Sequence, residues 1–127
     1  MDKDFERLYQ KAKNLTGVKK LNKSISYAHV GCALLTDKGN IYTGICMVAA
    51  CGIGFCAEHA AIIEMLKNDE SRILKIIATD KHGVTPPCGR CRELIKQVNE
   101  ENMKTEIMIG ENEVYTLEEL LPHPWIC

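Results

Sequence analysis

Apolar positions change their spacing several times along this chain, and each change marks an element. Phe5, Leu8, Tyr9, Ala12 and Leu15 recur every three or four residues, which predicts an amphipathic N-terminal helix. HVGCALLTD, residues 29–37, is apolar and strand-like; KGN turns the chain, and IYTGICMV, residues 41–48, follows as the second strand of a hairpin. CGIGF, residues 51–55, carries two glycines and reads as a loop. CAEHAAIIEMLKN, residues 56–68, is rich in helix formers and apolar at i, i+3 and i+4. RILKIIATD, residues 72–80, has the β-branched run of a buried third strand. KHGVTPP reads as a loop, and CGRCRELIKQVNEE, residues 88–101, as a helix with Leu94, Ile95 and Val98 on one face. TEIMI and VYT, residues 105–109 and 114–116, are short strands separated by the turn GENE. Thr116 and Glu119 form a capping box for a last helix, LEEL, which Pro122 ends.

This order predicts one α/β domain spanning residues 1–127. It has a five-stranded mixed sheet, a mostly parallel central segment and helices on its faces. The last two strands are joined by about four residues, whereas a parallel crossover needs a dozen or more. They therefore form an antiparallel hairpin.

Composition narrows the function. The net charge of −1 leaves no electrostatic footprint for a nucleic acid polymer. The one basic cluster, KKLNK at residues 19–23, reads as a solvated loop. No apolar run reaches the roughly 18–20 residues of a membrane span, and the charged start lacks the apolar stretch of a secretory signal. The expected location is the cytoplasm, where thiols stay reduced. Yet there are seven cysteines, an odd count that favours metal binding or chemistry over a disulfide framework.

Cys88 and Cys91 form a C-x-x-C pair, which alone reads either as a redox dithiol or as half of a zinc site. The pair comes late, after a loop with two prolines, which is not the usual place of the redox form. Cys56 stands at the corresponding start of the preceding helix. Two helix N-termini meeting at one end of a sheet could gather all three sulfurs, and both would favour thiolates. Three protein ligands on Zn²⁺ leave a fourth position open, the pattern of a catalytic site. Glu58, two residues after Cys56, is either an acid answering the helix dipole or the proton carrier of such a site. Cys32, Cys46, Cys51 and Cys127 read as small buried hydrophobes or spectators.

A His or Cys followed by x-E, and later P-C-x-x-C, is the zinc deaminase signature, in which the glutamate is not a ligand. With VGCALLTDKGNIYTG, CAEHAAI, PPCGRCREL and LEELLPHPW in order, most of the chain resembles the cytidine deaminase superfamily. The similarity is to its small three-cysteine branch, with PCGRCR and ELLP resembling blasticidin S deaminase. The antiparallel last hairpin fits this branch and not the tRNA adenosine deaminases or polynucleotide editors. The resemblance implies an α-β-α sandwich, a homotetramer, and hydrolytic deamination of a cytosine-type nucleoside or analogue. Zn²⁺ would be held by Cys56, Cys88 and Cys91, with Glu58 taking the water proton, delivering it to ring N3, and later protonating the departing ammonia. Backbone N–H groups near Ala57 and Cys88 would orient the water, and Trp125 would cover a substrate pocket, often a neighbouring subunit's.

The chain also departs from the branch. An aromatic usually stands two residues before VG; here that position is Ala28, with Tyr27 beside it as the substitute. Cys46 and Val48 occupy the positions of the Asn and Glu that grip ribose hydroxyls, and neither can do so. The substrate is thus a sugar-altered or modified nucleoside, or another aminated heterocycle. His59 follows Glu58 where three-cysteine members carry arginine. Zinc with three thiolates bears net charge −1, so Arg90, Arg92 or His59 is expected to compensate. The competing readings are a non-catalytic zinc scaffold, which would have no use for Glu58, and a cytosolic dithiol oxidoreductase.

Overall fold

The structure, a computed structural model, describes residues 1–125. Helix α1 (Lys3–Leu15) starts where the Asp2 side chain accepts the Phe5 N–H. Strands β1 (Lys19–Lys20), β2 (Ile25–Thr36) and β3 (Ile41–Ala49) follow, then helix α2 (Ala57–Lys67). Next come β4 (Ile73–Asp80), β5 (Gly83–Thr85) and helix α3 (Gly89–Val98). A 3-10 turn (Glu100–Lys104), β6 (Glu106–Gly110), β7 (Glu113–Thr116) and α4 (Leu117–Leu120) complete the described chain. The Thr116–Glu119 capping box is formed.

Strand alternation sorts the core into two layers. On one face Phe5, Leu8 and Ala12 of α1 pack on Ala33, Leu35, Ile77 and Met108. On the other, Ala61, Ile62 and Met65 of α2 and Ile95 of α3 pack on Cys32, Leu34, Ile76, Ala78 and Ile107. Neighbouring residues thus send side chains to opposite layers, as a strand buried on both faces requires. Each fully buried large side chain contributes about 1.5–3 kcal/mol, so this alternation fixes the register. The result is an α-β-α sandwich.

The sheet is mixed, but with seven strands rather than five. β1 and β5 were not legible because pairing rather than local pattern makes them. Lys19 and Lys20 extend along Tyr27 and Ser26, so the expected solvated loop is partly a strand. Gly83–Thr85 folds back on Ala78–Asp80. The central segment is also less parallel than expected. β2 lies between β3 and β4, antiparallel to both, and among the described residues only β4 with β6 forms a parallel pair. The crossover through α2 passes over β2, so β3 and β4 run the same way without touching. The closing β6–β7 hairpin is antiparallel, as expected.

One glycine sets where α2 sits. A Cβ added at Gly44 on β3 would lie 2.5 Å from the Ala61 N and 2.6 Å from the Ala57 O. Both are backbone atoms of α2, so the helix presses directly on the strand. Gly44→Ala is therefore expected to destabilise by about 1–3 kcal/mol, as overpacking does. A lowered urea midpoint at unchanged slope would show it; an unchanged midpoint would mean that α2 shifts freely and that Gly44 does not place it.

Candidate metal centre and active-site cleft

Cys56 and Cys88 are the N-cap residues of α2 and α3, and neither makes a side-chain capping bond. Serine, threonine, aspartate or asparagine would ordinarily stand there to satisfy the first helical N–H groups. Two cysteines at these positions forgo that stabilisation and bring sulfur to the positive ends of two helices. Cys91 lies one turn into α3, fully buried.

The three sulfurs converge. Cys56 and Cys88 Sγ atoms are 3.7 Å apart, Cys88 and Cys91 3.6 Å, and all three fall within 4.8 Å of one another. A disulfide would need about 2.05 Å, so these are free thiols. Tetrahedral zinc, with Zn–S near 2.3 Å, spaces its sulfurs about 3.8 Å apart. The cluster therefore fits a three-thiolate zinc site with one position left over.

Its electrostatics point the same way. Burial raises the Cys91 thiol far above the ordinary range, and the charges of Glu58 and Cys56 add to this. Burial likewise raises Cys56. At Cys88 burial also acts upward, but the N–H groups of Cys91 and Arg90 and the neighbouring sulfurs outweigh it and lower the thiol. Three adjacent thiolates repel one another, and a cation among them removes that cost.

Glu58 lies in the first turn of α2, only 5% exposed. Burial holds its carboxyl above the usual range. It lines a cleft of about 230 Å³ together with Val30, Cys46, Val48, Cys56 and Cys88. Ala57, fully buried, belongs to the same lining. The sequence missed Phe55, Thr85 and Pro86 here. Phe55 brings an aromatic ring to a cleft that lacks one at Ala28, and its place immediately before Cys56 was the available signal. Ala28 instead forms a kink: φ is +65°, in the left-handed region, where the β2–β3 register shifts.

The remaining expected residues divide. Cys46 is nearly buried, and its sulfur accepts the Val30 N–H at 3.3 Å. Tyr27 does not line the cleft; it pairs with Met47, out of phase with the Ser26–Val48 pair beside it. Trp125 is 65% exposed, outside its own chain's cleft, with its backbone N–H donating to the Glu93 carboxylate at 3.0 Å. Arg92 donates to the carbonyls of Pro87 and Leu120, clamping the loop that presents Cys88. Arg90 is exposed beside His59. Burial, then the Arg90 charge, lowers the His59 pKa, which favours the neutral imidazole. Cys32 and Cys46 are buried and Cys51 is exposed; Cys127 lies outside the described residues. No helix among the described residues is long and apolar enough to cross a membrane.

Comparison with known proteins agrees with this geometry. Residues 3–107 match the family model described as the cytidine and deoxycytidylate deaminase zinc-binding region. A cytidine deaminase of Sporosarcina psychrophila is 34% identical over 99 residues, 73% of this chain and 71% of that protein. A blasticidin-S deaminase of Bacillus cereus is 32% identical over 105 residues, 74% of each chain. The crystal structure of cytidine deaminase from Mycobacterium tuberculosis superposes with a TM-score of 0.82 at 26% identity, covering 99% of this chain and 100% of that one. The chain belongs to the cytidine and deoxycytidylate deaminase family, and is an enzyme of its zinc-dependent deaminase class.

Proposed function

We propose that this enzyme hydrolytically deaminates a cytosine-type ring, with Cys56, Cys88 and Cys91 holding zinc and Glu58 moving the proton. One observation carries the reading: a buried carboxylate faces the same cleft as sulfurs set at tetrahedral spacing. A structural zinc site would close its fourth position and leave Glu58 buried to no purpose. Zinc bound there supplies Lewis acidity, making water acidic enough to attack at neutral pH. Glu58 accepts one proton of the attacking water and delivers it to the ring nitrogen; it then takes the second proton from the hydroxyl now on the ring carbon and hands it to the amino group, so that the C–N bond breaks, the carbonyl forms and ammonia leaves. A raised pKa suits this role, because the same group must both take and return a proton. N–H groups in the first turns of α2 and α3, that of Ala57 among them, lie at the sulfur-bearing ends of these helices and offset the thiolate charge. Arg90 and Arg92 add positive charge around α3. A cytoplasmic setting fits thiols that must stay reduced.

The substrate differs from plain cytidine. The family relatives named above are a cytidine deaminase and a blasticidin-S deaminase, so the ring's substituent is what varies. Here Cys46 already accepts a backbone N–H, and Val48 has no side-chain polar atom to offer a ribose hydroxyl. Losing one charged and one neutral hydrogen bond removes roughly 2–4.5 kcal/mol of sugar recognition, or about 30- to 1,600-fold. The test is kcat/KM for ammonia release by the zinc-loaded enzyme across cytidine, cytosine, aminonucleoside antibiotics and aminopurines. Cytidine emerging as the best substrate would overturn this reading of Cys46 and Val48. Ammonia from none of them would overturn the deaminase reading.

We also propose a homotetramer. α2 buries one apolar face, yet Ile63 is 62% and Leu66 39% exposed on another, with Phe55 at 40% beside them. They adjoin a groove of about 460 Å³ lined by Phe55, His59, Ala60, Ile63 and Glu64. The His59 Nε2 there is shielded from water and has no hydrogen-bond partner among the described residues. A helix apolar on opposite faces is buried on both, which calls for another copy. The exposed Trp125 would then reach a neighbour's cleft. Sedimentation should read four chains and Ile63→Glu fewer; a fully active wild-type monomer would overturn the assembly.

A further inference from the structure

Resting on the deaminase reading, we infer an anion-binding subsite on the Lys20–Ser26–Val48 row, which selects an aminated heterocycle bearing a phosphate or carboxylate. The row follows from register. Lys20 pairs with Ser26 across β1 and β2, and Ser26 pairs with Val48 across β2 and β3. Directly opposed residues point to one face of a sheet, and so do residues two apart on a strand. Cys46, two before Val48, packs on the α2 side, so all four side chains share the face that holds the active-site cleft.

Val48 joins two cavities. It lines the cleft with Glu58 and Cys88, and it also lines a second hollow of about 270 Å³ with Lys20, Asn22, Lys23, Ser24 and Ser26. Two strand spacings carry the row about 10 Å from Val48 to Lys20, a gap that the long, exposed lysine side chain and a sugar close between them. Lys20 and Lys23 are exposed and join no ion pair among the described residues. The Asn22 side chain accepts the Ser24 and Ile25 N–H groups, so the loop carrying Lys23 is a formed turn.

Charge dictates where an anion can go. The thiolates and Glu58 repel it at the reacting end, while Val30, Cys46 and Val48 leave the near wall without charge. Arg92 is held by the Pro87 and Leu120 carbonyls and Arg90 lines neither cavity, so the positive groups that line the joined cavities are Lys20 and Lys23, beyond Val48. A substrate with its ring against Glu58 and its anionic group at Lys20 and Lys23 meets both conditions. These lysines replace by charge the sugar contacts that Cys46 and Val48 cannot make.

The test measures kcat/KM on the zinc-loaded enzyme for cytosine, cytidine, cytidine 5′-monophosphate and cytidine 5′-carboxylic acid. Hydrogen bonds to charged groups predict that one anionic compound exceeds its neutral counterpart by about 10- to 100-fold, through KM, with the advantage shrinking as salt rises. The two anionic compounds distinguish phosphate from carboxylate. In K20M/K23M the advantage should vanish while cytosine turnover stays the same. Neutral compounds matching the anionic ones, or a double variant keeping the preference, would overturn the subsite and leave the deaminase standing. Ammonia from no aminated ring would instead remove the deaminase reading on which this rests.

Discussion

Glu58→Gln is expected to retain zinc and to lose deamination by about 10²–10⁴-fold, the usual contribution of a positioned general acid–base group. The substitution preserves shape and removes only the capacity to carry a proton. Because the carboxylate is buried and destabilised by burial, the amide should leave thermal stability unchanged or raise it. Activity falling while stability holds would separate a catalytic role from a structural one. A helix-capping role predicts the opposite, since losing an acid from the first turn would weaken α2 slightly and spare turnover. Single-turnover ammonia release, metal content and the melting temperature together decide. Undiminished deamination by the Gln variant would remove Glu58 from the mechanism.

Much of the fold was legible because apolar spacing and burial agree. The strand at Ile73–Asp80 carries the buried apolar run Ile76–Ala78 and is covered by α1 on one side and α2 on the other. What escaped depends on partners. Lys19–Lys20 has no strand pattern, and its pairing with Tyr27 and Ser26 comes from β2 continuing beyond the kink at Ala28. The 3-10 turn after α3 begins because Asn99 adopts extended backbone and caps the Glu101 N–H. Glu70 looks like an ordinary surface acid, yet it is 5% exposed and bonded to Asn40 and Tyr42. Only the folded hairpin reveals that pairing.

The site was legible in a different way. Cys88 and Cys91 announce themselves by spacing, but Cys56 joins them only through topology. α2 and α3 both start where strand-to-helix loops reach the same end of the sheet, so their first turns meet. The substrate side was less legible, because its walls come from β2, β3 and two loops whose residues carry no motif. Phe55 and Thr85 reach the cleft by their place in the fold. Tyr27 shows the limit from the other direction. One residue of strand phase takes it out of the row that contains Val48.

Cys88→Ala is expected to abolish stable zinc binding and to remove nearly all activity. Cys88 suits this test better than Cys91, because Cys88 is exposed and its removal opens no core cavity. Cys91 is fully buried, so its replacement would mix packing loss with ligand loss. A ligand present at a thousand times its Kd stabilises the folded state by about 4 kcal/mol. In zinc, the variant should therefore melt well below the wild type; after chelation the two should melt together. Acid should narrow the gap in zinc. The thiols must lose protons to bind metal, so binding releases protons and weakens as pH falls. Paired melting curves with zinc, with chelator and across pH, beside metal analysis, read every arm. Stoichiometric zinc in the Ala variant, or a wild type indifferent to chelation, would break the assignment of Cys56, Cys88 and Cys91 as the metal site.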